Sequence, residues 1–269
     1  MSEYNEYILG TDKEELSRLE IQHKVWLSEA KHGWNLAGFK SGQTILDLGC
    51  GPGYCTMELA KIVGPEGKVI GVDRSEGFIN YLQNIQKSHQ LSIEPCLTDF
   101  DDLTLEEESL DGMYSRWALA WTPNPKAILK NIQNALKPKG KMVIHEYYNF
   151  STHQTHPEKP ALKKAIGAAL KSFNESDCEI NIGSLIPGYV KELNMKMTHI
   201  RLMPKLATPG SMDWEWPKTW YQSYFPRLVE MGYLSTEDMN EAFADLEAIE
   251  QKPYTTLCCP MMVEVIAEK

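Results

Sequence analysis

The chain has 269 residues, 42% hydrophobic and 24% charged, which suits one large domain or one domain carrying insertions. That composition excludes disordered, collagen-like and fibrous classes, and no apolar run nears the roughly 18 residues of a membrane-spanning helix. The formal net charge of -10, from 27 basic and 37 acidic residues, argues against a nucleic-acid partner, whose phosphates require clustered Lys and Arg.

The first predicted element is a helix over residues 12–31. Thr11-Asp12-Lys13-Glu14 forms a capping box, Leu16, Leu19, Trp26, Leu27 and Ala30 recur on one face, and Gly33 and Gly38 are read as its end. Strands and helices then alternate: strand 44–48, helix 54–63, strand 68–72, helix 76–88, strand 91–97, strand 110–115, a Pro-initiated helix to 136, and strand 141–146. Such alternation marks a parallel sheet with helices on both faces. After residue 147 the rhythm breaks. Helices are expected near 160–173 and 184–193, a strand at 199–206, an aromatic-rich stretch at 212–251, and a closing strand at 254–267 interrupted by Pro260. No second autonomous core is apparent, so 148–183 and 207–253 are read as insertions into one domain.

Six cysteines, Cys50, Cys55, Cys96, Cys178, Cys258 and Cys259, form no C-x-x-C pair, which fits a reducing cytoplasmic compartment. Residues 1–10 are polar and acidic and lack the charged-then-apolar pattern of a secretion signal.

Chemistry concentrates in Ile45-Leu46-Asp47-Leu48-Gly49-Cys50-Gly51-Pro52-Gly53, between a predicted strand and a predicted helix. Glycines there let a ligand lie against bare backbone. A dinucleotide fingerprint would need G-x-G-x-x-G, but the glycines fall at 49, 51 and 53 and position 54 is Tyr. Asp47 in the strand suits an electropositive ligand end better than a diphosphate. Asp73 ends the second strand, where a carboxylate can accept from a ribose diol, and Asp99-Phe100 follows the third, where acid and ring can meet an adenine. Together these features describe a nucleoside with a cationic, phosphate-free tail, which is the shape and charge of S-adenosylmethionine (SAM).

On these residues the chain resembles a class I SAM-dependent methyltransferase. Residues 45–53 resemble the family's first motif, 71–73 its second, Asp99-Phe100 its third, and 135–140 the motif before strand five, with Lys139 in place of the usual second glycine. Ser115-Arg116-Trp117 stands where the fourth strand opens toward the transferred methyl. Tyr7-Ile8-Leu9-Gly10 with Arg18, Leu19 and Gln22 resembles the N-terminal helix of bacterial small-molecule methyltransferases of the ubiquinone/menaquinone-biosynthesis-like group.

The resemblance implies a Rossmann-like, doubly wound α/β fold: a seven-stranded sheet whose last strand runs antiparallel beside strand five, with helical insertions forming a lid. It divides the domain into an N-terminal cap (1–41), a SAM-binding core (42–147) and the two lid insertions. Expected cofactor contacts are Tyr7, Gln22, Gly49, Cys50, Gly51, Gly53, Asp73, Arg74, Asp99, Phe100, Ser115 and Arg116. Trp117, Trp121, Trp216 and Trp220 are expected at the acceptor, with Trp214 and Tyr221 beside them in the lid.

Methyl transfer from a sulfonium is an in-line displacement with a neutral leaving group, so positioning carries most of the task. His145, ending strand five, is the candidate general base if the acceptor arrives protonated. No acids cluster near the methyl beyond Glu146, so no metal is expected. The expected function is methyl transfer to a small-molecule acceptor, without nucleic-acid or membrane partners. A non-catalytic SAM-binding module and a nicotinamide oxidoreductase are the alternatives.

Overall fold

A computed structural model of the chain describes residues 13–176 and 178–269. The resemblance at Tyr7 to Gly10 lies outside these residues.

The first helix, α1 (Lys13–Ala37), runs past Gly33. Gly33 does not end the helix. A Cβ there would stand 2.4 Å from the Glu264 carboxylate and 2.9 Å from Val143, so glycine allows close passage over the sheet. The alternating units follow as read: β1 (Thr44–Leu48), α2 (Tyr54–Val63), β2 (Lys68–Asp73), α3 (Glu76–His89), β3 (Ile93–Leu97), β4 (Leu110–Arg116), α4 (Pro125–Ala135) and β5 (Leu136–Asn149). Beyond them lie β6 (Gln154–His156), α5 (Pro160–Asn174), α6 (Ile186–Glu192), β7 (Lys196–Met203), β8 (Leu206–Ala207), α7 (Met212–Glu230), α8 (Thr236–Glu250), β9 (Thr256–Cys258) and β10 (Met261–Glu268).

The main sheet has the order β3-β2-β1-β4-β5-β10-β7. Strands β1 to β5 are parallel, and β10 is antiparallel to both β5 and β7. The antiparallel last strand is therefore as expected. Pro260, which cannot donate to a ladder, stands just before β10, and the register shifts between Met261 and Met262. The expected single strand 254–267 is corrected: Thr256–Cys258 pairs with β6 and β8 in a separate small sheet. The order of strand addition reverses between the parallel β1 and β4, and a crevice opens at their carboxyl ends, where open α/β sheets bind ligands.

Helices α5, α7 and α8 share a hydrophobic cluster with Trp26 of α1, Met203 of β7 and Met262 of β10, beside the two other clusters of the main sheet. Trp214, Tyr221 and Phe225 are fully buried in it. Ser235, whose side chain accepts from the Asp238 amide, starts α8 and splits the aromatic stretch into two helices. Among the described residues no helix is long and apolar enough to cross a membrane.

Candidate active site

A cavity of about 550 Å³ lies at the carboxyl ends of β1, β2, β4 and β5, within the size range of small-molecule sites. The loop after β1 forms one wall. Gly49 and Gly51 have φ of 72° and 53°, the left-handed region that side chains resist. A Cβ on Gly49 would meet Ala118 at 2.4 Å, whereas one on Gly51 would meet nothing within 4 Å. The first glycine thus permits packing against the turn after β4, and the second leaves bare backbone at the cavity.

Asp73 fixes this loop. Its Oδ2 accepts from the Gly51 amide at 2.8 Å and its Oδ1 from the Ser75 amide at 2.9 Å. Each oxygen keeps further lone pairs for a ligand. Asp47 accepts a 2.6 Å bond from the Thr56 hydroxyl, and burial pushes its pKa up to about 6. Tyr54, the residue that breaks the dinucleotide pattern, donates to the Leu16 carbonyl at 3.1 Å and ties α2 to α1. On α1, Arg18 pairs with Glu15 at 2.6 Å, and Gln22 accepts from both Arg18 and Trp216.

Arg116 ends β4. It is half-buried, its guanidinium lies 5.0 Å from the Trp117 ring centre, and its buried Nη1 has no hydrogen-bond partner. Burial opposes its charge, but the fields of Cys55, Tyr114 and Asp47 raise its pKa and keep it protonated. Trp117 follows with φ of 55°, a strained conformation for a bulky residue. Glu146 supports the turn: its Oε1 accepts from the Ala118 and Leu119 amides, both at 2.9 Å. Burial pushes the Glu146 carboxyl up to about 8 against these bonds, so it is protonated at neutral pH.

The raised value has a measurable consequence. From about pH 4.5 to 8 the native protein keeps a proton that the unfolded chain releases, so this linkage removes stability as pH rises. Glu146→Gln is neutral throughout and matches the protonated acid in shape. Its stability relative to wild type should therefore grow by roughly 1.4 kcal/mol per pH unit between pH 5 and 8, then level. Denaturant melts at four pH values would show this, and a difference independent of pH would mean that the carboxyl is ionised in the fold.

Beyond Trp117 the cavity becomes aromatic. Trp121, Tyr147, Phe150, Phe173, Trp220 and Tyr224 line it together with Ile180. Trp220 stacks on Tyr224 at 5.4 Å and Phe173 on Tyr224 at 5.3 Å, while Trp121 meets Phe173 edge-on at 5.5 Å. One cavity therefore joins a glycine-and-carboxylate half to a half built of rings.

A family model described as a methyltransferase domain matches residues 39–206. The chain belongs to the methyltransferase-domain family. Demethylmenaquinone methyltransferase of Lactococcus lactis is 32% identical over 152 residues, 56% of this chain and 56% of that protein. The biotin biosynthesis bifunctional protein BioHC of Teredinibacter turnerae is 36% identical over 111 residues, 38% of this chain and 19% of its own length. The chain thus matches about half or less of the length of these relatives. A candidate methyltransferase from Bacillus halodurans shares the fold, with a TM-score of 0.62 at 14% identity, covering 90% of this chain and 99% of that one. The chain thus carries a methyltransferase domain with the class I fold, a family for which SAM is the methyl donor.

The methyltransferase cavity suits that cofactor. Carboxylates at Asp73 and Asp99 and the Phe100 ring border the half that would take the nucleoside, the open backbone at Gly51 allows close approach, and Arg116 brings a positive charge to the lining. Of the expected cofactor contacts, Gln22, Gly49, Cys50, Gly51, Asp73, Arg74, Asp99, Phe100 and Arg116 line the cavity. Gly53 instead packs on Leu82, Ser115 is fully buried beneath the lining, and Tyr7 is outside the described residues. Trp117, Trp121 and Trp220 also line it.

His145 and Trp216 do not stand among these lining residues. His145 is fully buried, with Nε2 2.8 Å from Glu264 and Nδ1 3.4 Å from the Tyr114 hydroxyl. Burial lowers its pKa, and neither nitrogen is left to serve an acceptor, so the general-base reading gives way. Trp216 is 4% exposed and stacks on Trp117 at 5.6 Å, and Trp214 and Tyr221 bond Glu250 and His153 inside the helical core. Of these lid residues Trp220 lines the cavity, while Trp214, Trp216 and Tyr221 pack in the helical core. Tyr224, Phe173, Phe150 and Tyr147, which the sequence reading did not single out as acceptor contacts, take their place. Among the described residues His32, His199 and Glu264 could bring three donors together, but Arg201 already holds Glu264 at 2.7 Å, which opposes a cation there.

Proposed function

We propose that the chain transfers the methyl group of SAM to an uncharged, largely apolar small molecule seated among Trp121, Phe150, Phe173, Trp220 and Tyr224. The observation that carries this reading is the single cavity whose polar and aromatic halves meet at Trp117. Asp73 and Asp99 would accept from the ribose and the adenine, with Phe100 against the ring. Arg116 would receive the carboxylate of the amino-acid tail, and Asp47 balances its charge. Bound there, SAM supplies an electrophilic carbon on a sulfonium.

The chain's part in the reaction is orientation. The aromatic walls exclude water and hold a flat or apolar acceptor by area and ring geometry. Alignment of nucleophile, carbon and sulfur can supply most of the rate enhancement. The described side chains of the aromatic half include no acid and no histidine, so the acceptor would present a nucleophile with a free lone pair. An anionic acceptor would meet no Lys or Arg among those rings.

A radiolabel assay tests this reading. The protein, methyl-labelled SAM and a panel of acceptors would be incubated together: a short-chain demethylmenaquinone analogue, neutral phenols and amines, and phosphorylated or carboxylated counterparts. The analogue belongs in the panel because relatives carry its name. Label should enter neutral acceptors and not their anionic counterparts. Transfer confined to anionic acceptors would overturn the assignment of the aromatic half, and binding of SAM without transfer to any member of the panel would favour a non-catalytic module.

A further inference from the structure

Glu15, Arg18 and Gln22 of α1 share one face of the helix by their spacing. Glu15 holds Arg18 by two bonds, from Nε at 2.7 Å and from Nη2 at 2.6 Å. Arg18 Nη1 in turn donates to Gln22 Oε1 at 3.2 Å. The same oxygen accepts from the indole Nε1 of Trp216, on α7, at 3.0 Å. Trp216 is itself held in place: it is buried, with Trp26 edge-on at 5.1 Å and Trp117 stacked at 5.6 Å.

These bonds decide which way the Gln22 carboxamide faces. An indole or guanidinium N–H can only donate, so the atom on which both converge is the oxygen. Reversing the amide would set its NH2 group against two donors. Nε2 is therefore turned away from Arg18 and Trp216, and among the described residues it has no hydrogen-bond partner. Gln22 is half-buried and lines the cavity. Its bond to Trp216, which stacks on Trp117, sets this amide beside the junction of the polar and aromatic halves.

We infer that Trp216 is a positioning residue that, with Arg18, holds the Gln22 amide as a donor toward an oxygen of a molecule bound in the cavity. The inference rests on the reading that SAM and the methyl acceptor occupy that cavity. A glutamine left to itself loses rotamer freedom when it meets a ligand, whereas one held by two donors has surrendered that freedom in folding. Its NH2 group offers two donors and no acceptor, so it selects an oxygen lone pair over an N–H or an apolar group. Such an oxygen comes from the tail carboxylate of the cofactor or from a carbonyl of the methyl acceptor.

Titration calorimetry with two matched pairs of probes tests this role. S-adenosylhomocysteine and its decarboxylated analogue differ by the tail carboxylate. Tetralone and tetralin, titrated with S-adenosylhomocysteine present, differ by a carbonyl oxygen. Gln22→Leu and Trp216→Phe should weaken the oxygen-bearing member of one pair, by about tenfold and about fivefold respectively, and leave its mate within about twofold. The pair affected names the source of the oxygen. The double variant should bind no more weakly than Gln22→Leu alone, because Trp216 acts through that amide. Additive losses that spare neither member of a pair would mark Trp216 as structural support only, and they or unchanged affinities would overturn the inference. A selective loss in Gln22→Leu without one in Trp216→Phe would keep Gln22 as a contact and overturn the role of Trp216. If Trp216→Phe does not fold, benzothienylalanine in place of Trp216 keeps the two-ring shape and removes the N–H alone. Wild-type protein that binds S-adenosylhomocysteine but neither ring probe would refute the assignment of the aromatic half, and the first pair would still decide the role of Trp216.

Discussion

Replacing Asp73 by alanine should lower affinity for S-adenosylhomocysteine by about a hundredfold or more. The carboxylate accepts from the Gly51 and Ser75 amides and lines the cavity where the ribose is assigned. Hydrogen bonds to a charged group contribute about 1.5–3 kcal/mol each, and two of them to a diol correspond to at least two orders of magnitude in dissociation constant. Alanine would also free the loop at Gly51, adding an ordering cost to binding. Asp73→Asn keeps one acceptor oxygen and should fall between wild type and alanine. Calorimetric titration gives the affinities, and circular dichroism checks the fold. Wild-type affinity in a folded Asp73→Ala protein would remove this carboxylate from the nucleoside subsite.

Asp73 was legible in the sequence because its signal is local. A strand, an acid at its end and a glycine loop some twenty residues earlier are all set by short-range geometry, and the helices and strands between them follow from periodicity. The same holds for Asp99-Phe100, whereas the antiparallel direction of the last strand was implied by the family resemblance and not by any pattern in residues 254–267. His145 shows where such reasoning stops. Its neighbour Glu146 was rightly placed on the opposite face, because strand side chains alternate. Which face meets the cavity depends on Glu264, 119 residues further on, and on α1 lying across the sheet. No pattern around residue 145 carries that information. Gly33 misled for the same reason. A helix-ending glycine and a glycine that admits a neighbour look alike until the carboxylate 2.4 Å from its virtual Cβ is placed. The aromatic half draws on β5, α5 and α7, and Phe173 or Tyr224 acquires a role only when these segments meet.

Trp216 and Trp220 lie four residues apart on α7, and alanine at each should have opposite consequences. Trp216 is buried between Trp117, at 5.6 Å, and Trp26, at 5.1 Å, and its Nε1 donates to Gln22 at 3.0 Å. Removing it leaves a cavity in the core and Gln22 with only its bond from Arg18, a loss of about 3–5 kcal/mol. For a domain of this size that lowers the melting temperature by roughly 10 °C. Trp220 is half-buried and faces the cavity, so Trp220→Ala should leave the melting temperature within a few degrees. Its ring contributes wall area and stacking to an acceptor, which predicts an acceptor KM raised by about tenfold or more with affinity for S-adenosylhomocysteine unchanged. Thermal melts and steady-state kinetics on the two variants decide the matter. The reverse outcome, a stable Trp216→Ala with impaired turnover and a Trp220→Ala that unfolds, would place the acceptor against Trp216 and return the helical layer to the role of a closing lid. Under the arrangement described here the stacked rings of Phe173, Tyr224 and Trp220 are instead a fixed wall. Their order is set by the hydrophobic core behind them, and acceptor selectivity would follow from the shape that wall leaves open.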